Sequence, residues 1–367
     1  EDLEDESSQA GRVAPRRRAS IALWASRRAA AMDCSEDYFT ASDNSKIFVR
    51  TFLPSGGQPP CAVLHLHHGM GDHSGRYAGF AEKCVARGIA VIAHDARGHG
   101  LTSTADGAPG LGRYKCGPEG AVQRMILDFQ ELLLATKAAR PGVPILVFGH
   151  SFGTVISQLC LGAGAGGVVN DVRGLVLCSC PARLPGIVAS AFAVLLSVLH
   201  KLHGDSGISS VPKKLTFDKY QSRCVAATKP EGPVTGWEWL NSDAAEVKKY
   251  VEDPFTGGDE SMAFWCAALP ALRKLRTPEA LAALPKTTPV CLLEGSHDFC
   301  AVDDFGTRAH TSVQHEFVAA GKLPPKVHFY DQARHELMLE RNRDQVADDV
   351  LNFFFECLDR PAQASRL

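Results

Sequence analysis

The sequence predicts an α/β fold: a mostly parallel, eight-stranded sheet with helices on both faces and a helical cap inserted after the sixth strand. Three observations predict it. Short apolar runs of strand length alternate with longer segments of helical periodicity, the pattern of parallel strands joined by crossover helices. One run, Ile145-Leu146-Val147-Phe148-Gly149-His150, leads through Gly149-His150-Ser151-Phe152-Gly153 into small and apolar residues at helical spacing. That is the strand–turn–helix context in which a serine hydroxyl is presented on a sharp elbow. From Pro181 to about Pro285 the alternation stops, and it resumes at Pro289.

Residues 1–31 stand outside this fold. Glu1 to Glu6 is almost all acidic, and Arg12 to Arg28 is rich in Arg, Ala and Ser around one apolar patch, Ile21-Ala22-Leu23-Trp24. This composition fits a disordered tail, or a targeting or cloning segment, with Met32 as an alternative start. The first part of the core covers 32–180. Residues 38–41 and 46–53 predict a hairpin turning at Ser42-Asp43-Asn44-Ser45. Residues 61–67 and 89–94 read as buried strands, separated by a helix over 78–87 that ends at Gly88. Residues 118–139 are helical, with Val122, Met125, Ile126, Phe129, Leu132 and Leu133 on one stripe. The elbow strand, its helix and the strand 174–178 follow. The cap, 181–285, holds an apolar helix (187–202), basic and aromatic segments, an Asp253-Pro254 turn and a helix near 264–275. The second part of the core, 286–367, supplies strands 289–293 and 326–330 and helices 307–319 and 345–358.

Composition bounds the function. The chain has 367 residues, 45% hydrophobic and 22% charged, which suits a globular protein with a large core. A net charge of -2 gives no global field toward nucleic acid or an anionic membrane. Of twelve cysteines, Cys61, Cys160, Cys178 and Cys291 lie in apolar runs and read as small buried hydrophobes. Cys178-Ser179-Cys180 has neither metal nor redox spacing. No signal sequence is apparent, so free thiols in a reducing, cytoplasmic setting are expected, with an organelle as the alternative if residues 1–31 are a transit peptide. No apolar run reaches the roughly 18 residues needed to span a bilayer.

A serine hydroxyl needs a base within hydrogen-bond reach, and the base needs a carboxylate to fix its tautomer. In a sheet of this kind those groups lie in loops at the strand carboxyl ends. Asp298 and His335 each follow a predicted strand by a few residues, as Ser151 does, in the order Ser, Asp, His. Among fourteen histidines, only His335 falls after the last strand. Asp303 and Asp304 compete with Asp298 but resemble the first turn of a helix. The oxyanion needs two backbone amides. Phe152, next to the nucleophile, is one. Met70, in His68-Gly69-Met70-Gly71 after the third strand, is the other.

These segments carry a resemblance. His68-Gly69-Met70-Gly71-Asp72-His73-Ser74-Gly75-Arg76-Tyr77 resembles the oxyanion segment of the monoglyceride lipase and lysophospholipase group of α/β-hydrolases. Asp95-Ala96-Arg97-Gly98-His99-Gly100-Leu101-Thr102-Ser103 is similar to the group's D-x-R-G-H-G-x-S, with one extra residue before the serine. Gly149 to Gly153 matches its elbow, with Phe where Met is usual. Gly295-Ser296-His297-Asp298 and His335-Glu336 match its acid and base segments. In the cap little aligns beyond Tyr250-Val251-Glu252-Asp253-Pro254. The resemblance implies an α/β-hydrolase fold and ester hydrolysis through an acyl-serine, with no cofactor and no metal.

The remaining motifs read as structural. His73, Arg76 and Tyr77 brace the oxyanion loop, and Asp95, Arg97 and His99 form a hydrogen-bonded turn. His67 and Asp72 fit an H-x4-D acyltransferase pattern by accident. The cluster His65, His67, His68 and His73 lacks metallohydrolase spacing, and strand alternation puts His68 on the opposite face. The helix 187–202 packs over the core, or frames an acyl tunnel and touches a lipid surface, with Lys201, His203, Lys213 and Lys214 near headgroups. The expected partner is a lipid ester substrate; no nucleic acid is expected. The leading reading is a serine hydrolase of single-chain lipid esters such as monoacylglycerols or lysophospholipids. A related aminopeptidase or small-ester hydrolase is the alternative, with Glu231, Asp243 or Glu246 available for a substrate amine. A non-catalytic scaffold is the distant one. Serine rather than aspartate at the elbow excludes haloalkane and epoxide hydrolases.

Overall fold

The computed structural model describes residues 32–114, 118–230 and 234–360; the expectation for residues 1–31 lies outside them. Eight strands form one sheet in the order β1-β2-β4-β3-β5-β6-β7-β8. They are β1 Met32–Thr40, β2 Lys46–Pro54, β3 Ala62–His67, β4 Ile89–His94, β5 Ile145–His150, β6 Val172–Cys178, β7 Val290–Gly295 and β8 Lys326–Tyr330. β1 pairs antiparallel with β2, and β2 with β4; every other pairing is parallel. β1 begins six residues earlier than its apolar content suggested. Its side chains are mostly exposed, so the hairpin ladder to β2 holds it, and periodicity could not reveal that.

Alternation along the central strands gives each face its own core. Ile145 and Val147 of β5 and Leu175 and Leu177 of β6 point to one face, against α2 (Pro118–Ala139), α3 (Phe152–Gly162) and α9 (Ala309–Ala319). Leu146 and Phe148, with Val176 and Cys178, point to the other, against α1 (Ala78–Ala86) and α10 (Arg343–Leu358). Cys160, Cys178 and Cys291 are buried as expected, but Cys61 is exposed. It sits one residue before β3, and its thiol faces the Arg87 and Gly88 carbonyls at 3.9 and 3.3 Å.

The insertion after β6 holds α4 (Gly186–His203), two short helical turns (Ser210–Lys213 and Lys214–Asp218), α5 (Lys219–Thr228), α6 (Ala244–Glu252), α7 (Met262–Leu275) and α8 (Pro278–Ala283). α4 corrects one expectation. It is 18 residues long with mean hydropathy 1.6, long and apolar enough by those measures to cross a membrane; alanines and serines lengthen what had read as a shorter apolar run. In the fold Ala189, Leu196 and Leu199 are buried, and the Leu196 carbonyl accepts from Cys266 of α7.

Candidate active site

Loops from the carboxyl ends of β3, β5, β7 and β8 converge under the cap. Ser151 follows β5 directly and starts α3 with φ 51° and ψ -120°. A positive φ costs a non-glycine residue on the order of 1–3 kcal/mol. The flanking glycines make the turn sterically possible. A Cβ on Gly153 would lie 2.3 Å from the His67 carbonyl oxygen, and one on Gly149 would lie 2.6 Å from the Gly153 oxygen. The Ser151 amide donates to the Cys178 carbonyl at 2.9 Å, and the Thr154 amide and hydroxyl close onto the Ser151 carbonyl at 2.9 and 2.7 Å. The backbone is pinned on both sides. The Ser151 hydroxyl makes no hydrogen bond among the described residues.

Asp298, in the loop after β7, and His335, after β8, are both buried. His335 Nδ1 lies 3.0 Å from each Asp298 carboxylate oxygen. Burial alone would raise the Asp298 pKa; the adjacent His335 charge and hydrogen bond, with the Cys300 amide at 3.0 Å, overcome that and hold it below the usual carboxylate range. The His335 carbonyl accepts from Ser179 Oγ at 2.7 Å and His150 Nε2 at 3.1 Å. With Nδ1 committed to Asp298, Nε2 is the free edge of the ring. The rivals do other work. Asp303 caps the Phe305 and Thr307 amides, and Asp304 pairs with Lys219 and Arg223. They precede α9 rather than open it.

Ser151, His335, Met70 and Phe152 line one cavity of about 90 Å³. Phe152 is the first residue of α3, so its amide has no intrahelical acceptor. The Met70 amide also has no acceptor among the described residues. Gly69 brings the loop against the elbow: a Cβ there would sit 3.1 Å from Ser151 Cβ. The cap closes the cavity with Phe217, Tyr220, Trp237, Trp239, Tyr250 and Trp265. The Trp239 ring centroid is 5.0 Å from that of His335.

A buried ionic strut ties the loop after β3 to the loop that carries His335. Arg76 grips both oxygens of Glu336, the residue after His335, and also bonds Asp72 at 3.1 Å. Its guanidinium lies 4.8 Å from the Tyr250 ring centroid. Burial would raise the Asp72 carboxyl, yet Arg76 and His150 hold it well below its ordinary range. The Tyr77 hydroxyl sits between Asp72 Oδ2 and His150 Nδ1, at 2.7 and 2.8 Å. The Tyr250 hydroxyl donates to the Gly71 carbonyl at 2.9 Å, and His73 Nε2 is 2.9 Å from Asp253. His73, Arg76 and Tyr77 therefore brace this loop as expected. Spacing gave no sign of Ser179 or of the two bonds His150 makes. Glu336 and Tyr250 were visible only as members of matched segments.

The turn from Asp95 to Ser103 is equally closed. Asp95 accepts from the Ser74 amide at 2.8 Å and the Leu101 amide at 2.7 Å, while Arg97 pairs with Asp128 and Asp43. His99 Nε2 lies 3.1 Å from Glu260 of the cap. Burial would lower His99, but Glu260 raises it. His65 and His67 share a face with Phe129, at 6.1 and 5.4 Å between centroids. His68 instead accepts the Ala96 amide at Nε2. Burial pushes His65 and His67 down to about 3 and His68 to about 4. Among the described residues no three His, Cys, Asp or Glu side chains converge as metal ligands.

The family model described as Hydrolase_4, serine aminopeptidase S33, matches residues 58–342. The chain is 27% identical over 312 residues to a monoglyceride lipase homolog of Monkeypox virus, covering 84% of this chain and 92% of the relative. It is 26% identical over 262 residues to monoglyceride lipase of Homo sapiens, covering 70% and 71%. A solved structure titled as the open form of a lipase superposes with a TM-score of 0.74 at 26% identity, covering 89% of this chain and 100% of that one.

Proposed function

The chain belongs to the Hydrolase_4 (serine aminopeptidase, S33) family and is a carboxylic ester hydrolase, and from that premise we propose that it cleaves esters of single-chain lipids, monoacylglycerols or lysophospholipids, through an acyl-serine on Ser151. One observation carries the reading. The strained Ser151, Met70, Phe152 and His335, the last held from behind by Asp298, border a single small cavity.

His335 Nε2 takes the Ser151 proton as Oγ bonds the ester carbonyl carbon. The oxyanion forms between the Met70 and Phe152 amides, where each donor contributes a few kcal/mol. Collapse breaks the carbon–oxygen bond to the alcohol, which leaves with the proton from His335. Water then loses a proton to His335, attacks the acyl carbon and releases the acid, and Ser151 recovers its proton. Asp298 stays ionised throughout and stabilises the imidazolium.

The ester reading fits the cavity better than the aminopeptidase one. A substrate amine needs an uncommitted carboxylate. Asp243 caps α6 and Glu246 pairs with Lys249, and neither lines the cavity; Glu231 lies outside the described residues. Asp72 and Glu336 do line it, but Arg76 engages both. The lipid reading draws on the apolar and aromatic lining, on the relatives named monoglyceride lipase, and on α4. Ile187, Val194, Val198 and Leu202 form an exposed apolar row on that helix, 86%, 66%, 49% and 72% accessible, suited to contact with a lipid surface. Lys213, expected near headgroups, is instead paired with Asp259 and packed over Trp237.

A fluorophosphonate probe should label the wild type and leave Ser151→Ala unlabelled. Turnover of medium- and long-chain monoacylglycerols, lysophospholipids and aminoacyl amides then ranks the substrates. Labelling of another serine, or amide turnover exceeding ester turnover, overturns the reading.

A further inference from the structure

A second cavity, of about 340 Å³, lies beside the first two turns of α3. Its size falls within the roughly 300–1,000 Å³ of small-molecule sites, whereas the catalytic cavity is far smaller. Pro181 and Leu272 line both cavities, so the two share a wall. The walls are apolar at Leu184, Ala189, Leu269 and Leu275, and the floor carries the buried polar side chains of Thr154 and Gln158. Four cations surround it: Arg183, Arg273, Lys274 and Arg276. Arg276 is committed, donating to Glu316 at 2.6 Å and to the Pro181 carbonyl at 3.3 Å. Arg183 is 3.6 Å from the same carboxylate. Arg273 and Lys274 are exposed and form no ion pair among the described residues.

A cavity with apolar walls, a polar floor and four cations, two of them paired with Glu316 and two left unpaired among the described residues, is complementary to a hydrocarbon chain ending in a negative head. The chemistry at Ser151 uses none of these groups. An acyl chain of a neutral ester would gain nothing from the cations. We propose that this cavity binds a single-chain amphiphile with an anionic head, a fatty-acid carboxylate or a lysolipid phosphate, at a site separate from the ester under attack. It rests on the lipid-ester reading only for the source of such a ligand, since hydrolysis at Ser151 would release an acid one wall away.

Calorimetric titration of the Ser151→Ala protein with laurate, dodecyl phosphate and dodecanol tests it, because binding needs no turnover and stays readable if the ester reading fails. The anions should bind about tenfold more tightly than dodecanol, as a charge-assisted contact requires, and less tightly as salt rises. Adding Arg273→Gln and Lys274→Gln should remove that preference. The same pair in the Ser151-intact protein should leave p-nitrophenyl acetate hydrolysis and Tm unchanged. Preference for laurate identifies an acid as the ligand, and preference for dodecyl phosphate a lysolipid. Equal binding of dodecanol and the anions, survival of the preference in the double variant, or, in the Ser151-intact protein, loss of laurate binding once a decylphosphonate is bonded to Ser151 would each overturn the proposal.

Discussion

The core and the cap reach the same cavity by different means. On the core side the polar groups are held by partners: Asp298 by His335 and Cys300, Asp72 and Glu336 by Arg76, the His335 carbonyl by Ser179 and His150. On the cap side the wall is mostly rings, in contact with one another. Phe217 and Trp239 centroids are 5.3 Å apart, and those of Trp237 and Tyr250 are 5.0 Å apart. A ring can be exchanged for another apolar group at modest cost. A buried carboxylate that loses its partner cannot be accommodated so cheaply. The core wall is thus the costlier of the two to change, and the cap wall the more tolerant.

The largest effect should come from Asp298→Asn. The histidine would lose its orienting carboxylate, and kcat should fall by about 10⁴-fold with little change in KM. Trp265→Leu is the cap counterpart. It should alter the ratio of kcat/KM for long- and short-chain esters by about tenfold and leave p-nitrophenyl acetate turnover near wild type. Comparable losses of short-ester turnover in both variants would erase the division between core and cap.

Next in size is the strut. Arg76→Met leaves Glu336 buried with no cation and Asp72 with only His150 and Tyr77 beside it, which should cost about 3–5 kcal/mol of stability, read as a lower urea midpoint. Arg76→Lys restores the charge but not the two-pronged grip on Glu336 and should recover only part of it. Full recovery by Lys would mean that charge alone, not geometry, ties the two loops.

Which parts were legible in the sequence follows the same division. Ser151, Asp298 and His335 are legible as candidates because each sits a few residues past a strand, and strands in a parallel sheet announce themselves as apolar runs. Met70 is legible as a candidate because glycines flank it. The strut was not legible as a strut. Arg76 and Glu336 are 260 residues apart, and no local pattern encodes a bond of that separation. Ser179 was hidden for the same reason, since its partner is the His335 carbonyl. In the cap, Asp253-Pro254 announced a turn, but which ring faces His335 depends on packing among aromatics that sequence spacing does not order. β1 was cut short because an exposed edge strand has no apolar run to betray it.

Acid should act on the core first. His65 and His67 titrate near 3 and His68 near 4 in the fold, against the usual 6.5. A folded pKa below the unfolded one means that the unfolded chain takes up the proton first. Stability present above 6.5 is therefore lost as pH falls toward 3–4, at up to about 1.4 kcal/mol per pH unit for each group. Asp298 adds to the loss at lower pH, because its depressed pKa stabilises the fold only above the usual carboxylate range. His99 opposes it, since its raised pKa favours the fold at low pH. His94, also held well below its ordinary range by burial, acts in the same direction, so with four histidines against one the urea midpoint by far-ultraviolet circular dichroism should drop between pH 7 and pH 5. Every tryptophan among the described residues lies in the cap, so with Trp24 changed to Phe the fluorescence reports that region separately. A fluorescence midpoint that falls while the dichroism midpoint holds would reverse the order.

The smallest effect tests the outer face of the cap. Val194 and Val198 lie one turn apart on the exposed row of α4. Changing both to Ser removes apolar surface from the side turned away from the core, so folding stability should move by no more than about 0.5 kcal/mol. If the row meets a lipid surface, co-sedimentation with phosphatidylcholine vesicles should weaken about tenfold, because each buried methylene is worth about 0.8 kcal/mol. Turnover of p-nitrophenyl acetate, which needs no interface, should stay unchanged. Unaltered vesicle binding would assign the row to something other than lipid. A parallel loss of short-ester turnover would mean that α4 supports the catalytic cavity itself, and the cap could no longer be regarded as separable from the chemistry beneath it.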